Sequence, residues 1–109
     1  MATLIGGNGD DTIQGTSGKD VIKGGNGNDT LRGADGKDRI FGGGGDDAIS
    51  GGDADDRLFG NNGNDTVSGG NGNDYIEGGE GDDVVNGGNG KEELKGGNGN
   101  DTVIGRKGD

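Results

Sequence analysis

Cysteine, histidine, proline and tryptophan are all absent from this chain, and aromatic residues make up only 3% of it. Without cysteine there are no disulfides, thiol nucleophiles or iron-sulfur ligands. Without histidine the commonest proton shuttle and most zinc or copper ligand sets are lost. These absences make an ordinary enzyme active site unexpected. Long hydrophobic runs are missing too. The longest, such as Leu4-Ile5 and Val84-Val85, are two residues, so no segment of this sequence could span a bilayer or serve as a signal peptide. Basic charge is scarce: 10 Lys and Arg face 21 Asp and Glu, for a net charge of -11. That balance argues against nucleic acid or an anionic membrane as partner, since both need a basic surface, and makes cations the natural partners. With 32 glycines in 109 residues and 22% hydrophobic content, the composition alone indicates disorder.

The order of the residues reverses that reading. From Gly6 to Ile104 the chain divides into 11 consecutive nine-residue units with no insertion or deletion, which is the mark of a repeat architecture. The first unit reads Gly6-Gly7-Asn8-Gly9-Asp10-Asp11-Thr12-Ile13-Gln14, and the eleventh reads Gly96-Gly97-Asn98-Gly99-Asn100-Asp101-Thr102-Val103-Ile104. Position one is always Gly, and position four is Gly except at Ala54. Position six is Asp except at Glu92, and position eight is always aliphatic, from Ile13 to Val103. Leu4 falls on the same beat before the first unit, and Gly105 to Asp109 open a twelfth. Each unit is thus a tight polar bend followed by three residues with one apolar side chain between two outward-facing ones, a very short strand. Asn-Gly pairs such as Asn8-Gly9 and Asn71-Gly72 also signal two-residue hairpins, but antiparallel pairs need longer flanks than three residues. A solenoid satisfies every unit: each strand pairs in parallel with its equivalent one coil later, and position eight stacks into an apolar ladder. The expected fold is all-β, a single domain over residues 1–109 with partial repeats at both ends.

These units resemble the glycine-rich nonapeptide G-G-x-G-x-D-x-U-x of the RTX (repeats-in-toxin) family, a calcium-binding repeat, and the resemblance covers 99 of the 109 residues. It implies a right-handed parallel β-roll of two nonapeptides per coil, with two short-strand parallel sheets and Ca2+ held between the turn of one unit and that of the unit two later. Odd turns then carry Asp11, Asp29, Asp47, Asp65, Asp83 and Asp101, and even turns carry Asp20, Asp38, Asp56, Asp74 and Glu92. This gives up to nine interior sites. The resemblance further implies main-chain carbonyl ligands, for the first odd gap Gly6, Asn8 and Asp10 from one turn with Gly25 and Gly27 from the next. Along the odd row the same role falls to Gly43, Gly45, Gly63, Gly79, Gly81, Gly97 and Gly99. The chemistry fits independently, because Ca2+ takes about 6 to 8 hard oxygens and glycine-rich turns aim carbonyls inward at little steric cost. Filling nine sites would overshoot the charge of -11, so partial filling at low calcium is expected. Departures concentrate on the even row, at Thr16, Ala34, Ala54 and Glu92, with Lys19, Lys37 and Lys91 at position five; Asn61 is the odd-row exception at a fixed glycine. The odd row is therefore expected to bind fully and more tightly. For the even row the alternative stays open that its lysines simply face solvent and its other departures fit the turns.

One apolar side chain per nine residues falls far short of the cost of ordering the backbone, and stacked aspartates repel one another. The chain is therefore expected to be unfolded without calcium and to fold cooperatively with it. The resemblance implies a bacterial, secreted and extracellular setting, with export by type I secretion and folding outside the cell. Alternative readings are an adhesion or carbohydrate-binding module, or an engineered or excised scaffold, suggested by the abrupt ends and the absence of a C-terminal secretion segment. End-to-end or face-to-face self-association is a further expectation. Phe41 and Phe59, beside Arg39 and Arg57, make either a docking patch or a cross-strand aromatic pair. Thr12, Thr30, Thr66 and Thr102 make either a flat binding array or plain β-propensity. Dinucleotide-loop, P-loop and EF-hand patterns fail on inspection.

Overall fold

The computed structural model describes residues 2–105; Met1 and Arg106 to Asp109, most of the partial twelfth unit, lie outside it. Twelve strands follow one another: β1 (Ala2–Ile5), β2 (Thr12–Gln14), β3 (Asp20–Gly25), β4 (Thr30–Arg32), β5 (Arg39–Gly43), β6 (Ala48–Gly52), β7 (Arg57–Asn61), β8 (Thr66–Gly70), β9 (Tyr75–Gly79), β10 (Val84–Asn86), β11 (Glu93–Gly97) and β12 (Thr102–Ile104). No helix occurs among the described residues. Odd strands form one six-stranded sheet and even strands the other, each in simple sequential order. Every pairing is parallel, and partners stand 18 residues apart, as in Ile22↔Ile40↔Leu58 and Leu31↔Ile49↔Val67. Two nonapeptides therefore make one coil, and about six coils stack into a β-solenoid.

The short strands follow from the nine-residue beat. Position eight points inward and its neighbours outward, and the result is two facing ladders. Ile22, Ile40, Leu58 and Ile76 come from one sheet and Leu31, Ile49, Val67 and Val85 from the other, all at most 3% exposed, with Leu4, Ile13 and Leu94 packed against them. The bends extend the same register: the N–H of position seven donates to the position-six carbonyl one coil earlier, as Thr30 does to Asp11 and Thr66 to Asp47, both at 2.8 Å. Turn is thereby locked on turn, and the position-six side chains come into line. Phe41 and Phe59 stack on the outer face, ring centroids 5.0 Å apart and 8° from parallel, with Tyr75 tilted against Phe59 at 5.9 Å. They form the cross-strand pair, extended by one ring.

Candidate metal centre

The aspartates at position six point inward. Asp20, Asp29, Asp38, Asp47, Asp56, Asp65, Asp74 and Asp83 are 1–3% exposed, while Asp11 and Asp101 at the ends of the odd row are half-buried. One oxygen of each has a fixed task. From Asp29 to Asp83, and at Asp101, Oδ1 accepts the backbone N–H of the position-six residue one coil earlier, at 2.7–2.9 Å. The other oxygen has none. Oδ2 of Asp29, Asp38, Asp47, Asp56, Asp65, Asp74 and Asp83 is buried without a hydrogen-bond partner. A buried, unpaired carboxylate oxygen is costly, and seven in translational register require a common explanation.

The first turn of each row shows how such an oxygen is otherwise satisfied. There the position-two N–H folds back onto it, from Gly7 to Asp11 Oδ2 at 2.8 Å and from Thr16 to Asp20 Oδ2 at 2.7 Å. In every later turn position two has positive φ, from Gly25 at 94° to Gly97 at 91°, and that hydrogen bond is lost. The orphaned oxygens thus belong only to turns with another turn stacked before them. Among the described residues no three acidic side chains converge on one point, so a cation between two turns must draw on main-chain oxygen as well as carboxylates. Such oxygen is at hand. A Cβ added at Gly24 would stand 2.5 Å from Asp29 Oδ2 and 2.7 Å from the Gly42 carbonyl oxygen, so the invariant position-one glycine keeps open a space bordered by both. The carbonyls of Gly27, Gly45, Gly63 and Gly81 accept no backbone hydrogen bond among the described residues, whereas those of Gly25 and Gly43 each accept one, from Gly44 and Asn62, and keep a lone pair free. Hard oxygens, one carboxylate per turn and no soft ligand suit Ca2+.

The sequence matches a family model for exactly this kind of turn, the RTX calcium-binding nonapeptide repeat in four copies, over residues 5–40, 23–58, 32–67, 59–91 and 86–109. The chain belongs to this family. No curated protein matches it significantly. RTX repeats are a structural calcium-binding repeat rather than an enzyme family.

The electrostatics of the RTX turns are those of a site short of positive charge. Burial pushes Asp38, Asp47 and Asp74 up to about 6 and Asp56 and Asp65 up to about 7. The hydrogen bond at Oδ1 opposes the shift and neighbouring carboxylates add to it. Asp83 is raised for the same reasons. Asp20 goes the other way: burial pushes it up, but hydrogen bonds from the Thr16 hydroxyl, the Thr16 N–H and the Ala2 N–H outweigh this and hold it below the usual range.

The structure brings the sequence-marked aspartates into two straight rows, and it adds three features the sequence did not disclose. Position five forms its own ladder on the odd row, where Oδ1 of Asp10, Asn28, Asp46, Asn64 and Asp82 accepts the position-five N–H one coil later at 2.8 Å. The alternation of Asp and Asn, visible in the sequence, was the available signal. Thr16, marked as a departure, serves the first turn of its row: its φ is ordinary, and its hydroxyl donates to Asp20 Oδ1 at 2.8 Å. Ala34, Ala54 and Asn61 keep the positive φ of the glycines they replace, at 74°, 78° and 71°, so the turn shape survives at all three. Glu92 does interrupt its row. No hydrogen bond runs to it from the Asp74 N–H, and both its carboxylate oxygens are buried without a partner.

Proposed function

We propose that the chain is a calcium-triggered folding module of an exported protein, with one Ca2+ held between each pair of stacked turns. The orphaned Oδ2 atoms carry this reading, since every gap whose later turn bears a fully buried Asp has one such oxygen. The ligands are the position-six carboxylates, Asp11, Asp29, Asp47, Asp65, Asp83 and Asp101 on the odd row and Asp20, Asp38, Asp56 and Asp74 on the even row. Carbonyls complete each shell: Gly6, Asn8 and Asp10 with Gly25 and Gly27 in the first odd gap, and Gly43, Gly45, Gly63, Gly79, Gly81, Gly97 and Gly99 in the later ones. The ion would supply the positive charge the buried carboxylates lack. The Oδ1 ladder holds each carboxylate in place, and the position-one glycine leaves it room.

The proposed row difference now centres on a single gap. Ala34 and Ala54 preserve their turns, so the weak even-row site is the one between Asp74 and Glu92, where a longer side chain enters a space built for Asp. Release from the producing cell as an unfolded chain by type I secretion, followed by folding in millimolar calcium outside, fits a fold whose turns contain so many like charges. Circular dichroism during calcium titration of the chelator-treated protein tests the reading. It predicts little β signal in chelator and a cooperative rise with calcium; full β content in chelator overturns it.

A further inference from the structure

Cations in this acidic chain are unevenly placed. Seven of the ten Lys and Arg residues lie in even units, against Arg32 alone in the odd units. Four of them, Lys19, Lys37, Arg39 and Arg57, line one groove of about 340 Å³ together with Val21 and Asp55, over the buried Asp20 and Asp38. Arg39 and Arg57 are direct partners on adjacent strands, and Lys19 and Lys37 occupy position five of successive even coils. Like charges on neighbouring rungs destabilise a sheet. The odd row avoids this by alternating Asp with Asn at position five, while this corner doubles the same sign at two positions. Lys37 has a partner in Asp55 at 4.0 Å; no ion pair engages Lys19, Arg39 or Arg57 among the described residues.

We infer that this groove binds an acidic oligosaccharide, whose carboxylates lie between the stacked cations. The cations recur at the coil rise of ~4.8 Å, close to the length of one sugar ring, so a chain with one carboxylate per ring meets successive coils in register. Arginine presents a planar fork that fits a carboxylate in two hydrogen bonds, and Val21 offers an apolar wall to the C–H face of a ring. A nucleic-acid duplex fits poorly, because its phosphates fall every ~1.7 Å along the axis and the chain's net charge of -11 repels it.

The inference rests on the calcium reading only in that the folded protein is prepared with calcium. The calcium-saturated chain is titrated calorimetrically with tetragalacturonate, a carboxylated oligosaccharide too short to gel with the metal. Saturable binding is expected, weakened at least about tenfold in R39Q/R57Q, the loss of charge-assisted hydrogen bonds, and unchanged in R32Q, which lies outside the groove. Circular dichroism of each variant shows that the coil is formed, and K19Q/K37Q gives a second variant with the strands untouched. Undiminished binding by both folded variants, equal binding of neutral maltotetraose, or tighter binding of polyglutamate or single-stranded DNA overturns the inference. A wild-type coil that folds with calcium yet binds no tetragalacturonate removes the groove proposal and leaves the calcium reading intact. A coil already formed in chelator removes the calcium reading, and the groove is then titrated in that state.

Discussion

Ala34 and Ala54 hold backbone angles that an L-residue adopts at a cost of about 1 to 2 kcal/mol, with φ of 74° and 78°. Replacing either with Gly removes that strain and restores some unfolded-state entropy, so A34G and A54G are each expected to stabilise the calcium form by about 0.5 to 1 kcal/mol in chemical denaturation. The converse change belongs to position one. In G60A the new Cβ would stand 2.5 Å from Asp65 Oδ2 and 2.6 Å from the Gly78 carbonyl oxygen. Overpacking of this kind costs about 1 to 3 kcal/mol, and here it also crowds the space proposed for the ion; calorimetry should show one calcium fewer. Glu92 provides the opposite test. E92D is expected to restore the even row's hydrogen bond from the Asp74 N–H and to add one calcium, or tighten the weakest, in the same titration.

At the scale of strands and turns, the ladder residues act as a stack rather than as a core in the round. Ile40 is fully buried and packed between coils, so I40A is expected to cost about 2 to 5 kcal/mol, read as a raised calcium midpoint for folding. This much was legible beforehand: a strict nine-residue beat with Asp at six and an aliphatic residue at eight fixes the strand, the parallel pairing and the 18-residue register through translation alone. The fate of each oxygen was not. Which lone pair of Asp47 meets the Asp29 N–H, and which is left bare, depends on the turn's φ angles, and these depend on the neighbouring coil. Thr16 and Ala34 both depart from glycine at position two, and only their place in the stack separates an ordinary φ from a left-handed one. The groove of Lys19, Lys37, Arg39 and Arg57 was equally hidden, since it forms only when three even units are wound side by side.

The whole molecule couples charge to shape. Each carboxyl raised to about 6 or 7, from Asp38 to Asp74, binds its proton more tightly in the coil than in the unfolded chain. Between roughly pH 4 and 7 the metal-free coil therefore holds more protons than the unfolded state, and its stability falls as pH rises through that window. In chelator, acidification from pH 8 towards 5 is expected to increase the β signal; calcium binding at neutral pH is expected to release protons. Dimensions should follow. The coil has a radius of gyration of 12.2 Å, whereas an unfolded chain of this length has about 33 Å, so X-ray scattering with and without calcium should report a collapse of that size. The most direct test of the central claim is anomalous diffraction from crystals grown in calcium. The account predicts an ion in the gap between Asp47 and Asp65, ligated by a carboxylate of each turn and by main-chain carbonyls. A wound coil in saturating calcium, with no ion in that gap and Asp65 Oδ2 still bare, would contradict it.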